Sequence, residues 1–196
     1  FIINATQTEQ VVLENDYLSL TISSIGAQIT DATLKEYTKY APKDERNELV
    51  KLFDPQSAAF DMSFYLKDGL KNVKVQTLAH NFTLLPVVKE QDKQIATLRL
   101  PFKGGASIDF IYTLYNQKVE ERDYMVEFDV RFNDIAPIMA NQASIGVAWS
   151  NRSYQNERSY KNENMYTNLY YRHPGEVGIE DLGVSEGNKS ENISTS

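Results

Sequence analysis

Val11-Val-Leu-Glu-Asn-Asp-Tyr-Leu-Ser-Leu-Thr-Ile-Ser-Ser-Ile-Gly-Ala-Gln-Ile-Thr-Asp-Ala-Thr-Leu-Lys-Glu-Tyr37 carries the clearest pattern in the chain. Leu18, Leu20 and Ile22 alternate with Ser19, Thr21 and Ser23. A period of two marks a strand with one buried and one wet face. Asn15-Asp16 and Ser23-Ser-Ile-Gly26 are turn chemistry on either side of it. Gly26 accepts positive φ at little steric cost, so a chain reversal and a second strand are expected there.

The alternation continues downstream. Ile108, Phe110, Tyr112 and Leu114 share one face of a predicted strand. Val126, Phe128, Val130 and Phe132 share a face of another, with Glu127, Asp129 and Arg131 between them. Asn116 to Asp123 is expected as the charged loop of that hairpin. Weaker strands are predicted over Leu49–Phe53, Asp61–Leu66, Val73–Leu78, Phe82–Val88, Ile95–Leu100 and Gln142–Trp149, with Pro86 demoting its segment to an edge or a bend. Gly104-Gly105 reads as hairpin punctuation. No long segment places apolar residues at helical spacing. Short strands separated by turn signals predict an all-β sandwich.

After Trp149 the character changes. Ser150 to Asn164 is polar, and Met165-Tyr-Thr-Asn-Leu-Tyr-Tyr171 offers one more strand. Residues 183–196 have the composition of a flexible tail, so the folded domain is expected over residues 1–182.

Composition narrows the function. The chain has 196 residues, 41% hydrophobic and 24% charged, with nine Phe and twelve Tyr, enough for a real core. Its net charge of −7 and the lack of a basic cluster argue against nucleic acid and against docking on an anionic bilayer. With no cysteine, disulfides, thiolate zinc sites and cysteine nucleophiles are excluded. The longest apolar runs span a few residues, such as Phe1–Ile3, against ~20 for a spanning helix. A start at Phe1 reads as a processed or excised segment.

Sites of chemistry are sparse. His80 and His173 lie far apart, and neither has a partner at a metal-ligand spacing. Both are expected as ordinary loop histidines. No nucleophile elbow or phosphate-cradling loop is present, and no catalytic residue, metal or cofactor is expected. Five Asn-x-Ser/Thr acceptor patterns, beginning at Asn4, Asn81, Asn151, Asn188 and Asn192, are too short to weigh much. The candidate contact surface is tyrosine-rich: Tyr154, Tyr160, Tyr166, Tyr170 and Tyr171, with Arg172 beside them. Tyrosines bury area while keeping a polar tip, which suits a binding surface, though they also favour strands for packing alone.

The Val11–Tyr37 stretch resembles the opening of the large periplasmic domain of the YidC membrane protein insertases. Val50-Lys-Leu-Phe-Asp54 is similar to a short segment of that family. Ile108-Asp-Phe-Ile-Tyr-Thr-Leu-Tyr115 followed by Asp123-Tyr-Met-Val-Glu-Phe-Asp-Val-Arg-Phe-Asn133 resembles its central antiparallel pair. The resemblance implies an antiparallel β-supersandwich of the galactose-mutarotase type with little helix. It implies a periplasm-facing domain of a bacterial inner-membrane protein, between the first two membrane helices. It also implies contact with Sec translocon components and nascent membrane proteins, by scaffolding and not by catalysis. The family continues past this point into a further strand and a helical segment. Peripheral packing of that part is expected, with self-association through the truncated end as the alternative. The second functional reading is a carbohydrate-binding or mutarotase-like enzyme on the same fold.

Overall fold

Gly26 makes the reversal that its sequence context predicts. It sits at φ +66°, and Ala27 follows at φ +50°. In a computed structural model describing residues 1–42, 47–116, 124–140, 144–166, 168, 170–172 and 177–181, this turn joins β2 (Leu18–Ser23) to β3 (Gln28–Thr38). A Cβ on Gly26 would lie 3.1 Å from Leu78 Cδ1 and 3.2 Å from Leu78 Cα. Gly26→Ala therefore adds crowding to left-handed strain, and a loss of about 1–3 kcal/mol is expected in a urea melt. An unchanged midpoint would show that the turn relaxes freely.

β1 (Gln10–Glu14) and β4 (Leu49–Lys51) complete an antiparallel sheet of order β1-β2-β3-β4. β5 (Ala59–Asp68) and β6 (Lys71–Gln76) form a hairpin through Gly69 at φ +63°. Past β6 the chain makes a 3-10 turn at Thr77–Ala79. β7 (Thr83–Leu84) and β8 (Val88–Lys89) are two short pieces beside β9 (Lys93–Pro101), broken around Pro86, which has no N–H to donate. β9 reverses through Gly104 and Gly105, at φ +95° and +94°, into β10 (Ser107–Tyr115). β11 (Val126–Asn133) closes the second sheet, of order β11-β10-β9-β7 with β8 also on β9. β12 (Gly146–Ser150) returns to the other side of β5, giving a third sheet of order β12-β5-β6.

All pairings between these strands are antiparallel, and the three sheets share one apolar core. Leu20 and Ile22 come from the first sheet, Leu98, Ile108 and Phe110 from the second, and Phe64 and Leu66 from the third. Together they make an all-β sandwich.

β10 departs from simple alternation. Besides its inward face, Ser107, Asp109 and Thr113 on the other face are also buried. Arg99 of β9 and Asn133 of β11 reach over Asp109 from either side. Arg99 Nε and Nη2 each donate to its carboxylate at 2.7 Å, and Asn133 Nδ2 donates at 3.0 Å. That bond to Asp109 is the chief reason the Arg99 guanidinium pKa is raised.

The N-terminal segment is tied to distant parts of the chain. Ile2 bridges Phe102, the Ile3 N–H donates to the Pro101 carbonyl at 2.9 Å, and Lys103 N–H donates to the Phe1 carbonyl at 2.9 Å. Asn4 Oδ1 accepts from Asn81 N–H at 2.9 Å and lies 3.2 Å from His80 Nδ1.

The C-terminal part corrects one expectation. Met165–Tyr171 is not a continuous strand. Tyr160–Met165 is a short helix, α1, and among the described residues of that stretch strand structure is found only at β13 (Tyr170–Tyr171), paired with β14 (Glu180–Asp181). The cause is local: the Ser159 hydroxyl caps the helix by accepting from Asn162 N–H at 3.3 Å, and Glu163 Oε1 accepts from Asn156 N–H at 3.0 Å. The predicted strand Gln142–Trp149 starts later, at Gly146, and the one predicted over Val73–Leu78 turns 3-10 at Thr77. Most of the expected Asn116–Asp123 loop, His173 and the proposed tail 183–196 lie outside the described residues. Among the described residues, no helix is long and apolar enough to cross a membrane.

Candidate functional site

The tyrosine-rich stretch is spread over the segment after β12, α1 and β13. Tyr154 lies in the segment after β12, Tyr160 opens α1, and Tyr166 follows its end. All three rings are exposed. Tyr170 and Tyr171 belong to β13, where the Tyr171 hydroxyl donates to Glu180 Oε2 at 2.7 Å and Tyr170 Oη accepts from Asn168 Nδ2 at 3.2 Å. Arg172 is exposed just beyond them. His80 is half-buried, with Asn4 beside its ring; burial lowers its pKa, against an opposing pull from Asp61.

A different constellation forms an open cleft of about 330 Å³. Tyr112 of β10 and Val126 and Phe128 of β11 make one wall. Ala59 and Phe60 of β5 make another, with Phe53 and Ala58 on the chain leading into β5. Gln28 and Ile29, at the start of β3, close one side, and Trp149 and Asn151 close the other. The walls are held by ring packing. Phe60 stands edge-on to Phe128 with centroids 5.3 Å apart, and Tyr112 lies 4.8 Å from Phe128. Behind them, Phe110 meets Phe60 at 5.8 Å, Phe128 at 5.3 Å and Phe82 at 5.2 Å. Edge-to-face and tilted pairs at these separations suit the ring quadrupoles.

Two polar contacts set the floor. The Tyr112 hydroxyl donates to the Ala27 carbonyl at 2.6 Å, which ties β10 to the Gly26 turn. Burial pushes the Tyr112 phenol pKa up, so it stays a neutral donor at ordinary pH. Gln28 Oε1 accepts from the Phe60 N–H at 3.2 Å. The described lining contains no histidine and no charged side chain.

β12 gives the cleft its openness. Its register sets Val147 opposite Met62 and Trp149 opposite Phe60. Those β5 partners face the core, and Met62 is buried. Yet Val147 is 62% exposed and Trp149 69% exposed, because β12 is the last strand of its sheet. β11 is the last strand of the second sheet, and its Phe128 is 37% exposed at the cleft. Terminal strands from two sheets thus border one apolar opening. Beyond its ladder to β5, β12 makes no further backbone hydrogen bond among the described residues. It also carries no charge and no proline, the usual guards of a free edge.

A second cluster also escaped the sequence reading. Tyr124 packs against Tyr17 at 5.6 Å and Tyr37 at 6.1 Å, and its hydroxyl donates to Glu36 Oε2 at 3.2 Å. Both groupings join residues far apart in sequence. The one local signal was Trp149, the only tryptophan in the chain.

Comparison with known proteins adds the family. The model of the YidC periplasmic domain matches residues 10–193. The chain is 28% identical over 184 residues to the membrane protein insertase YidC of Parabacteroides distasonis, covering 93% of this chain and 26% of that protein. It is 29% identical over 167 residues to the membrane protein insertase YidC of Phocaeicola vulgatus, covering 84% of this chain and 24% of that protein. A YidC of Azobacteroides pseudotrichonymphae is 25% identical over 163 residues, covering 83% and 24%. The chain thus spans about a quarter of the length of the curated relatives it matches. No solved structure matches it.

Proposed function

The chain belongs to the YidC periplasmic domain family, found in bacterial inner-membrane proteins, and from that premise we propose that it serves an insertase as a non-enzymatic contact domain. Its work is to support insertion and folding of membrane proteins, alone or with the Sec translocon, by holding partners and not by transforming them. The family match over residues 10–193 carries this reading. The open aromatic cleft supports it, since clefts of about this size with few polar groups are common binding sites. The exposed Tyr154, Tyr160, Tyr166, Tyr170, Tyr171 and Arg172 are proposed as further partner contacts.

The carbohydrate alternative has less behind it. A mutarotase-like reaction wants a histidine and a carboxylate converging on the sugar. The cleft offers the Gln28 and Asn151 amides and otherwise mostly apolar surface, and His80 does not line it.

The test is site-specific photo-crosslinking in a full-length insertase carrying this domain. Probes at Tyr160, Tyr170, Arg172 and Trp149 are expected to trap membrane-protein chains or translocon components. If removing the domain leaves insertion unchanged and no probe traps either class, the contact role is wrong.

A further inference from the structure

We propose that residues 1–7 form a strap that opens as one unit from the folded sandwich, with the Asn81 side chain as its latch. The strap meets the rest of the fold at two places. At the first, the Phe1 carbonyl accepts from Lys103 N–H, Ile3 N–H donates to the Pro101 carbonyl, Ile2 bridges Phe102, and the Phe1 ring lies 6.0 Å from that of Phe102. At the second, Asn81 takes hold of residues 4–7. Its N–H donates to Asn4 Oδ1 at 2.9 Å, and its carbonyl accepts from Ala5 N–H at 2.8 Å. Its Nδ2 donates to the Ala5 carbonyl at 3.0 Å and to the Gln7 carbonyl at 2.8 Å.

Asn81 is itself fixed from behind. Its Oδ1 accepts from the hydroxyl of buried Ser24 at 2.7 Å. The next residue, Phe82, is fully buried, and its N–H donates to the Ser24 carbonyl at 2.8 Å. One side-chain amide thus has its oxygen on the sandwich and its nitrogen on the strap.

Apolar burial does little to hold the strap. Phe1, Ile2 and Ala5 are half-buried, while Ile3, Asn4, Thr6 and Gln7 are exposed. Thr8 and Glu9, also exposed, lead on into β1. Segments with few buried apolar contacts open at a lower free energy than the whole domain. Opening would uncover a particular place. β8, β7 and then Ile2 lie in turn along the edge of β9 away from β10. Without the strap, the Pro101 carbonyl and Lys103 N–H lose their partners, and buried Phe102 loses the Phe1 ring beside it. The strap is a removable guard on a sheet edge.

Residue-resolved hydrogen exchange by NMR on the 196-residue chain tests this. The reporters are the N–H groups of Ile3, Ala5, Asn81 and Lys103, each bonded between strap and sandwich. They are expected to share one protection factor, at least about tenfold below that of the β10 amides. Urea below the unfolding transition should hardly change it, because opening exposes little surface. Asn81→Asp keeps the size and the acceptor for Ser24 but removes both bonds donated to the strap. It is expected to lower protection at Ile3, Ala5 and Lys103 about tenfold, with Phe82 and β10 changing less than about twofold. Asn4→Ala, on the strap itself, takes the acceptor from Asn81 N–H and should lower strap protection about fivefold.

Strap amides as protected as those of β10 would open only with the whole domain, and the proposal would fall. It would fall equally if Ile3 exchanged early and Ala5 and Lys103 late, which is fraying from the end. Equal losses in β10 and the strap after Asn81→Asp would make Asn81 a general support of the fold and not a latch. Should that variant fail to fold, Asn4→Ala decides, and unchanged strap exchange there overturns the inference.

Discussion

Phe110→Ala is expected to lower the unfolding free energy by about 3–5 kcal/mol, read from urea denaturation. Phe110 is fully buried, and its ring touches those of Phe60, Phe82 and Phe128. Truncation removes the transfer energy of the ring and leaves a void that three other aromatics cannot fill without losing their own contacts. Whole domains hold only about 5–15 kcal/mol, so this one change consumes much of the margin. Phe110→Leu keeps most of the volume and should cost less, about 1.5 kcal/mol. The loss should also reach the cleft, because Phe110 backs both Phe60 and Phe128. A cost below about 1 kcal/mol for the alanine variant would mean that the ring cluster is looser than its centroid distances imply.

Asp109→Ala is expected to cost about 2–4 kcal/mol by the same measurement. The carboxylate is buried, and three donated bonds converge on it. Removing it takes the carboxylate partner from the Arg99 guanidinium and leaves the Asn133 amide only its bond to the Ser107 hydroxyl. The Arg99 side chain is 42% exposed, so water recovers part of the loss, which holds the figure below that for a fully buried pair. The double variant Arg99→Met with Asp109→Leu should regain most of the stability, since it removes both charges together. If the double variant is no better than Asp109→Ala, the cost comes from packing and not from the orphaned cation.

The strands were legible where one face is wet. Leu18, Leu20 and Ile22 alternate with hydroxyl residues, and β2 runs over Leu18–Ser23. β9 to β11 follow the same rule on their inner faces. Asp109 shows its limit: alternation marks it as a solvent position, and only the neighbours across the sheet, Arg99 and Asn133, bury it. Helix α1 was missed because six residues are too few for a period to emerge, and its one signal is the Ser159 cap. The cleft was illegible for a different reason. It gathers side chains from residue 28 to residue 151, and no local window holds more than a few of them. Nor could pattern tell that the inward residues of β12 lie open, because that depends on which strand ends the sheet.

The tethering of residues 1–4 to positions 80–103 has a consequence in time. Asn4 has no bond to Asn81, and Ile2 none to Phe102, until those residues have been made in their turn. Residues 1–4 therefore stay undocked until about a hundred further residues have followed, and their docking becomes one of the later steps of folding. A slower closure of that long-range contact lengthens the interval in which Phe1, Ile2 and Ile3 are open to proteases and to other unfolded chains.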